Sequence, residues 1–274
     1  MSGLWSDQTY GSLAKELYRR CGLVFEGGQA HLFRRRLERR AAELSYPSVQ
    51  EYASAVARSG EAEFDFLVEL LTVNETYFFR EEDHFHALVE TLWPEWVKEG
   101  AGPIRVWSAA ASTGCEVYTL AILLREKGLV GPGRVEVELL GSDVNSRVLE
   151  EARKGVYSEF SMRALSPYFR AKYFAAEGPR FRLDPSVREM VAFRKLNLVD
   201  AASSWPVERF HAIFCRNVLI YFDLAAKRKV VGAMTRALRP GGVLIVGRSE
   251  SLFNVSEAPP LVNLGGTLLH RKTK

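Results

Sequence analysis

The residues of this sequence that most clearly suggest a ligand site are a loop of small side chains and one acidic residue downstream. Ala111-Ser112-Thr113-Gly114 lies between a segment typical of a β-strand and a segment typical of a helix. Small side chains let the backbone approach a ligand closely, and the first amides of a helix are free to donate hydrogen bonds. Asp143 ends the next predicted strand, where a carboxylate can accept hydrogen bonds from ribose hydroxyls.

The loop lacks the GxGxxG pattern of dinucleotide-binding folds, which argues against a ligand whose pyrophosphate sits on the helix. A nucleoside without phosphates, such as S-adenosylmethionine, fits better. A tight turn followed by a helix-capping acid would produce the same pattern, so the loop and Asp143 alone leave that alternative open.

The cysteines and histidines indicate no metal site. Cys21, Cys115 and Cys215 lie far apart without a CxxC pair, and the N-terminus lacks the pattern of a secretory signal. Both observations favour a reduced, cytoplasmic protein. His84 and His86 are close in sequence, but side chains two positions apart on a helix point to different faces.

Composition and charge exclude several classes of protein. Apolar residues make up 47% and charged residues 26% of the 274 residues, which is typical of a globular protein. The net charge of +4 is too small to indicate a nucleic-acid partner, and we expect none. No apolar run is long enough for a membrane span, so we expect no membrane insertion either.

The hydrophobic periodicity changes along the chain. Up to about residue 73 it is helical, and Ser48-Val49-Gln50-Glu51 is a capping box that predicts a helix start. From residue 104 predicted strands alternate with predicted helices, which indicates a doubly wound, mostly parallel α/β sheet with its ligand site at the carboxyl ends of the strands. The strands are predicted at residues 104–107, 135–140, 210–214 and 243–246, and the helices at 116–127, 145–154 and 224–238.

Residues 157–196 interrupt this alternation. Segments 180–183 and 190–195 have the pattern of short antiparallel strands, and Ser166-Pro167 and Gly178-Pro179 are turn signals. We therefore predict a small antiparallel β-subdomain inserted at about residues 157–196.

Three long motifs occur in an order that closely resembles the chemotaxis receptor methyltransferase (CheR) family. They are NETYFFR at residues 74–80, RVWSAAASTGCEVY at 105–118 and IFCRNVLIYFD at 213–223. The resemblance covers nearly the whole chain. It implies an N-terminal all-α receptor-recognition domain (residues 1–73) and a Rossmann-like S-adenosylmethionine-dependent methyltransferase domain (residues 74–274) that carries the insertion.

The resemblance also implies a reaction and its site. Methyl transfer from S-adenosylmethionine to the γ-carboxylate of chemoreceptor glutamates would leave S-adenosylhomocysteine. Arg80 would hold the cofactor's methionine end, Glu116 would face its amino group, and Asp143 would bind the ribose. The residues implied to bind the cofactor are Asn74, Thr76, Arg80, Ala110, Ser112, Gly114, Glu116, Asp143, Asn197, Leu198, Asn217 and Val218.

Arg216 and Tyr221 are the predicted catalytic residues, Arg216 by orienting the acceptor carboxylate and Tyr221 by positioning either reactant. The alternatives are a structural ion pair for Arg216 and core packing for Tyr221. Cys115 stands where the family usually has a glutamate, and Arg248 where many members have histidine. The cysteine at position 115 leaves open a cofactor-binding module without turnover. A small-molecule carboxylate methyltransferase is another alternative.

An arginine cluster covers one face of a helix predicted over residues 31–44, opposite an apolar stripe of Phe33, Leu37, Ala41 and Leu44. The resemblance favours docking of the acidic helical bundle of a chemoreceptor, with a solvated face paired to Glu38 and Glu43 as the alternative. We expect a monomer. In some family members the inserted subdomain docks a peptide tether of the receptor, and the turn at residues 175–180 looks shorter here than in those members, so we expect that no tether is needed. The arginines are Arg34, Arg35, Arg36, Arg39 and Arg40.

Overall fold

The computed structural model describes residues 10–24, 28–58, 61–100, 102–200, 202 and 204–274. Its N-terminal part is helical, as predicted. The Ser48 hydroxyl oxygen accepts a hydrogen bond from the Glu51 amide at 3.2 Å, which confirms the start of the third helix. The helices are α1 (Gly11–Cys21), α2 (Gly28–Glu43), α3 (Val49–Arg58) and α4 (Glu61–Leu71), followed by α5 (Asp83–His86), a π-helical turn (Ala87–Leu92) and α6 (Trp93–Glu99).

The remaining elements alternate between strand and helix from residue 104 onward. In chain order they are β1 (Ile104–Ala109), α7 (Cys115–Glu126), β2 (Val137–Asp143), α8 (Ser146–Lys154), β3 (Val156–Ser158), α9 (Pro167–Tyr173), β4 (Phe174–Glu177), β5 (Arg180–Leu183), α10 (Pro185–Arg188), β6 (Val191–Lys195), β7 (Phe210–Cys215), α11 (Leu224–Ala237), β8 (Leu238–Val246), β9 (Leu261–Leu264) and β10 (Thr267–Arg271). Short 3-10 turns lie at Glu159–Met162 and Leu219–Tyr221.

The main sheet has the strand order β6-β2-β1-β7-β8-β10-β9. β6, β2, β1, β7 and β8 pair in parallel in that order, and β10 pairs antiparallel with both β8 and β9 at the other edge. This is the predicted fold class. β8 begins at Leu238, five residues before the predicted strand, because both Leu238 and Val243 pair with β7 across an irregularity between Phe210 and Ala212.

The prediction that residues 190–195 belong to the inserted antiparallel subdomain is wrong. β6 pairs in parallel with β2, from Leu139 opposite Val191 to Asp143 opposite Lys195. β6 is an edge strand that packs one face against the helices and exposes the other. Its residues therefore alternate between half-buried and exposed, as is usual for antiparallel strands. The inserted sheet is smaller, with the order β3-β5-β4, and ends at Leu183.

Two apolar layers hold the main sheet, one on each face. The N-terminal helices pack with Trp107, Ile213 and α11 in one continuous core. α5, α6 and α7 fill the opposite face around Trp93 and Phe214. The N-terminal domain is therefore one of the layers that cover the sheet.

The predicted apolar stripe of α2 is correct for Phe33, Leu37 and Ala41, which are buried. Leu44 lies beyond the end of the helix at Glu43 and is 40% exposed, so the prediction is wrong there. Among the helices that the structure describes, none is both long and apolar enough to cross a membrane.

Candidate active site

A cleft of about 1080 Å³, including its open mouth, lies where β1, β2, β6 and β7 end. The carboxyl ends of parallel strands form the usual ligand site of a doubly wound sheet. The residues predicted to bind the cofactor or to act in catalysis all line this cleft, with the exception of Gly114.

Gly114 shapes the loop from behind the cleft. Its φ of +83° is in the left-handed region, and a Cβ there would lie 2.9 Å from Tyr118 Cε2 and 3.1 Å from Ala152 Cβ. A larger residue would be strained and crowded at this position, so glycine is required for the turn into α7.

The loop before α7 is held in an uncommon backbone conformation. Ala110 has a φ of +68° and Ser112 a φ of +50°, which is rare for residues other than glycine. The Ser112 amide donates to Asp143 Oδ2 at 2.9 Å, and the Ser112 hydroxyl donates to the Asn74 carbonyl at 2.9 Å. The loop is therefore fixed both to the second strand and to the segment after α4.

Asp143 is buried, and backbone amides donate to both of its carboxylate oxygens. Oδ2 accepts from Ser112, and Oδ1 accepts from the Asn145 amide at 2.9 Å. Burial raises the pKa of Asp143, and these amides oppose that shift. The N-cap of α8 is Asn145, so Asp143 does not have the helix-capping role. Each oxygen can accept a further donor from the cleft.

A buried ion cluster lies beside the start of α7, where Arg216 is shared by two carboxylates. Its Nη1 donates to Glu116 Oε2 at 3.0 Å, and its Nη2 lies 3.0 Å from Glu81 Oε2. Nη2 also donates to the Arg80 carbonyl at 2.8 Å. This is the ion-pair arrangement considered as the alternative for Arg216, whose side chain is only 2% exposed.

The charge state of Glu116 follows from its surroundings. Burial raises the pKa of Glu116, while the Arg216 charge and a hydrogen bond of 2.7 Å from the Ser108 hydroxyl oppose that rise. Burial also acts on Glu81, but there the Arg216 charge prevails and the pKa lies below its usual range. The sequence patterns gave no sign of Glu81, because its partner Arg216 is far away in the chain.

Arg80 differs from Arg216 in its partners. Its Nη1 donates to the Glu75 carbonyl at 3.2 Å, and its guanidinium carbon lies 5.7 Å from the centre of the Tyr77 ring. Among the described residues, no carboxylate pairs with Arg80, although it lines the cleft. Its charge is therefore available to a carboxylate of a ligand.

The loop after β7 depends on Glu250, which sequence analysis missed. Asn217 has a φ of +59°, and its amide donates to Glu250 Oε2 at 2.6 Å. The Leu219 and Gly247 amides also donate to this carboxylate, at 2.8 and 2.9 Å. Glu250 thereby fixes the predicted Asn217 and Val218 positions across a separation of more than 30 residues.

The N-terminal domain forms one wall of the cleft through Cys21 and Leu23. Leu23 makes a single antiparallel bridge to Phe222, and the Val24 amide donates to the Tyr221 carbonyl at 3.0 Å. Tyr221 lines the cleft half-buried, with burial raising its pKa. On the same wall, the Asn197 side-chain amide donates to the Arg20 carbonyl, and Leu198 is buried.

The structure separates the five predicted docking arginines by their contacts. Arg40 makes two hydrogen bonds of 2.9 Å with Glu63, Arg36 donates to the Leu70 carbonyl, and Arg34 lies over the Tyr10 ring. Arg35 is exposed, and Arg39 is exposed with a 2.9 Å ion pair to Glu43 on its own helix. Arg35 and Arg39 therefore form the solvent-facing part of the cluster.

The two departures from the family pattern have structural explanations. Cys115 is buried, and burial raises its pKa to about 12, so the thiol stays protonated and unreactive near neutral pH. Arg248 is largely exposed, and its Nη2 lies 2.7 Å from Asp83 Oδ1. Among the described residues, no group of three or more His, Cys, Asp or Glu side chains could hold a metal ion.

Comparison with known proteins identifies the family. Residues 8–72 match the CheR methyltransferase all-alpha domain, and residues 74–264 match the CheR methyltransferase SAM binding domain. Chemotaxis protein methyltransferase 1 of Pseudomonas aeruginosa is 33% identical over 260 residues, which cover 93% of this chain and 94% of that protein.

Two further relatives agree with this match. The chemotaxis protein methyltransferase of Vibrio parahaemolyticus is 34% identical over 97% of both chains. That of Salmonella typhimurium is 35% identical over 91% of this chain and 86% of its own length. The predicted family, fold class and cofactor are thus confirmed. The chain belongs to the CheR family of S-adenosylmethionine-dependent chemotaxis methyltransferases.

Proposed function

We propose that this methyltransferase esterifies the γ-carboxylate of glutamate side chains on the cytoplasmic helices of chemoreceptors. The observation that carries the proposal is a set of three separated charges in one cleft. Asp143 and Glu116 supply carboxylates, and Arg80 supplies a guanidinium that no protein carboxylate occupies among the described residues.

These charges fit S-adenosylmethionine end to end. Asp143 would accept hydrogen bonds from the ribose hydroxyls, Glu116 would face the ammonium, and Arg80 would pair with the carboxylate. Asn74 and Thr76 line the cleft beside Arg80 and would hold the same methionine end. The bound cofactor supplies an electrophilic methyl group on a positively charged sulfur.

The remaining cofactor contacts would come from the loops around the cleft. Ala110 and Ser112 would let the backbone approach closely, as Gly114 behind them maintains the turn. The adenine and the methyl donor would lie against four residues that line the wall formed by the β6 and β7 loops. These are Asn197, Leu198, Asn217 and Val218.

The acceptor needs orientation rather than a base. A glutamate side chain has an ordinary pKa of about 4.3, so its carboxylate is already nucleophilic at neutral pH. The Tyr221 hydroxyl, which burial keeps protonated, would donate a hydrogen bond to that carboxylate. Arg216 would orient the acceptor through its guanidinium while remaining bonded to Glu116. The cleft would exclude water from both reactants.

Docking of the acidic receptor bundle is assigned to α2. Arg35 and Arg39 would make the first contacts, because they face solvent, while Arg34, Arg36 and Arg40 would add their charge from the domain surface. Arg36 donates to the Leu70 carbonyl and the neighbouring Leu71 lines the cleft, so α2 lies near the cleft. We also propose that the enzyme acts in the cytoplasm as a monomer without a tether peptide.

The test is transfer of a tritiated methyl group to purified receptor cytoplasmic fragments. Label that is released by base as methanol would identify a carboxyl methyl ester. Cofactor binding without any transfer would instead support a module that has lost turnover. Transfer to small carboxylic acids but not to receptor fragments would support a small-molecule carboxylate methyltransferase.

A further inference from the structure

Glu81 lies in the ion cluster beside Glu116 but does not line the cleft. The Arg216 guanidinium lies at the same 3.0 Å distance from both carboxylates, through Nη2 to Glu81 and through Nη1 to Glu116. The three side chains are 14%, 13% and 2% exposed for Glu81, Glu116 and Arg216, so solvent screens them little. One guanidinium thus serves two carboxylates.

The neighbouring groups do not neutralise this cluster. His84 lies 3.6 Å from Glu81, but burial lowers the pKa of His84 to about 4, so its ring is neutral near pH 7. Asp83 and Arg248 form their own pair on the outer side, and Arg248 contributes only its backbone amide to Glu81 at 3.2 Å. When both carboxylates are ionised, the cluster carries one unit of net negative charge. Burial and the Glu81 charge raise the pKa of Glu116, and the Arg216 charge opposes that rise.

The backbone holds Glu81 against this cluster. Phe79 and Glu81 have φ values of +60° and +53°, and strained positions of this kind persist where surrounding contacts fix them. The Phe79 amide donates to the Thr119 hydroxyl oxygen at 3.0 Å. Thr119 is on α7, the helix that carries Glu116, so one helix fixes both carboxylates relative to each other.

We propose that Glu81 is a positioning residue that keeps Arg216 from neutralising Glu116. By sharing the guanidinium, Glu81 leaves negative charge at the Glu116 side of the cleft, where it attracts the ammonium group of the cofactor. The inference rests on the proposed cofactor orientation, in which Glu116 faces that ammonium. A cationic group at this position would bring the cluster to neutrality.

The experiment compares two ligands on the purified full chain by isothermal titration calorimetry. S-adenosylhomocysteine carries the amino-acid end, and 5′-methylthioadenosine lacks it. Glu81→Gln keeps the size and a hydrogen-bond acceptor but removes the charge. We expect E81Q to weaken the binding of S-adenosylhomocysteine about tenfold, or about 1.4 kcal/mol. The affinity for 5′-methylthioadenosine should change less than twofold.

Two control variants separate charge from packing. Glu82 is the exposed neighbour on the same turn, and Glu82→Gln should leave both affinities unchanged. Glu81→Asp keeps the charge and should bind S-adenosylhomocysteine within about threefold of the wild type. A loss in E81D as large as that in E81Q would show that packing matters rather than charge, and it would overturn the proposal.

The outcomes also separate this inference from the proposed function. Equal weakening of both ligands in E81Q, or no weakening, would overturn the role of Glu81 alone. A wild-type protein that binds both ligands equally would overturn the orientation of the cofactor together with this inference. Failure to methylate receptor fragments would reject the proposed acceptor, while the ligand comparison would still decide the role of Glu81.

Discussion

Removal of the Arg216 side chain should destabilise the protein strongly, because the change leaves two buried carboxylates beside each other without a cation. Arg216→Ala takes away the partner of Glu116 and of Glu81, both about 3.0 Å away. Breaking a buried ion pair on one side costs about 3–5 kcal/mol of folding free energy. Urea denaturation at pH 7.5, monitored by tryptophan fluorescence, measures this loss directly.

The loss should depend on pH in a defined direction. Burial already raises the folded-state pKa of Glu116, and removal of Arg216 raises it further. A carboxyl whose folded pKa exceeds its unfolded value contributes stability at low pH and loses it as pH rises through the folded pKa. The difference between variant and wild type should therefore shrink from pH 7.5 to pH 5.5.

The matched control is Arg248→Ala, which breaks the largely exposed pair with Asp83. Exposed pairs contribute about 0–1 kcal/mol, so this variant should unfold almost like the wild type at both pH values. If Arg216→Ala retained the full free energy of unfolding at pH 7.5, the shared ion cluster would not exist as described. A loss that did not change with pH would refute the protonation argument specifically.

Arg80→Ala should weaken the binding of S-adenosylhomocysteine about 10- to 100-fold in calorimetry, since a charge-assisted hydrogen bond contributes about 1.5–3 kcal/mol. An equal loss of affinity for 5′-methylthioadenosine would contradict the assignment of Arg80 to the carboxylate of the cofactor. Glu250→Gln should weaken both ligands and lower stability by about 1–3 kcal/mol, because three backbone amides lose a charged acceptor. Charge reversal by Arg35→Glu with Arg39→Glu should slow receptor methylation at low salt by about tenfold and much less at high salt. Arg58→Glu, at an exposed position on α3, is its control, and equal rates at low salt for both variants would argue against docking on α2.

The sequence predicted the parallel sheet and its site edge well, because burial gives central strands continuous apolar runs. β7 is buried at every position, and α8 begins one residue after the predicted start. The prediction for the edge strand β6 was wrong for the opposite reason. Its exposed face makes the residues of this parallel strand alternate between half-buried and exposed. The local sequence pattern shows which faces of a strand are buried, but it does not show which strand is its partner in the sheet.

The candidate site shows the same division between local and long-range information. Asp143 and the small-residue loop could be identified because their roles depend on positions next to a strand end. Glu81 and Glu250 could not, because each acts on residues that are distant in sequence, Arg216 and Asn217. Hydrogen bonds of this kind have no spacing rule, so only the folded arrangement reveals them.

The contacts around Tyr221 link the two halves of the proposed function. Val24 donates to the Tyr221 carbonyl, and Tyr18 donates to Asp223 Oδ2 at 2.8 Å, so the helical domain holds the C-terminal end of the 3-10 turn that carries Tyr221 and the segment just after it. The same domain carries the exposed arginines of α2. Because one layer bears the proposed docking surface and holds the tyrosine, a receptor helix bound to α2 would meet a cleft whose geometry already depends on that layer. In the proposed function, substrate docking and acceptor alignment would therefore depend on one packed unit, with no separate signal between domains.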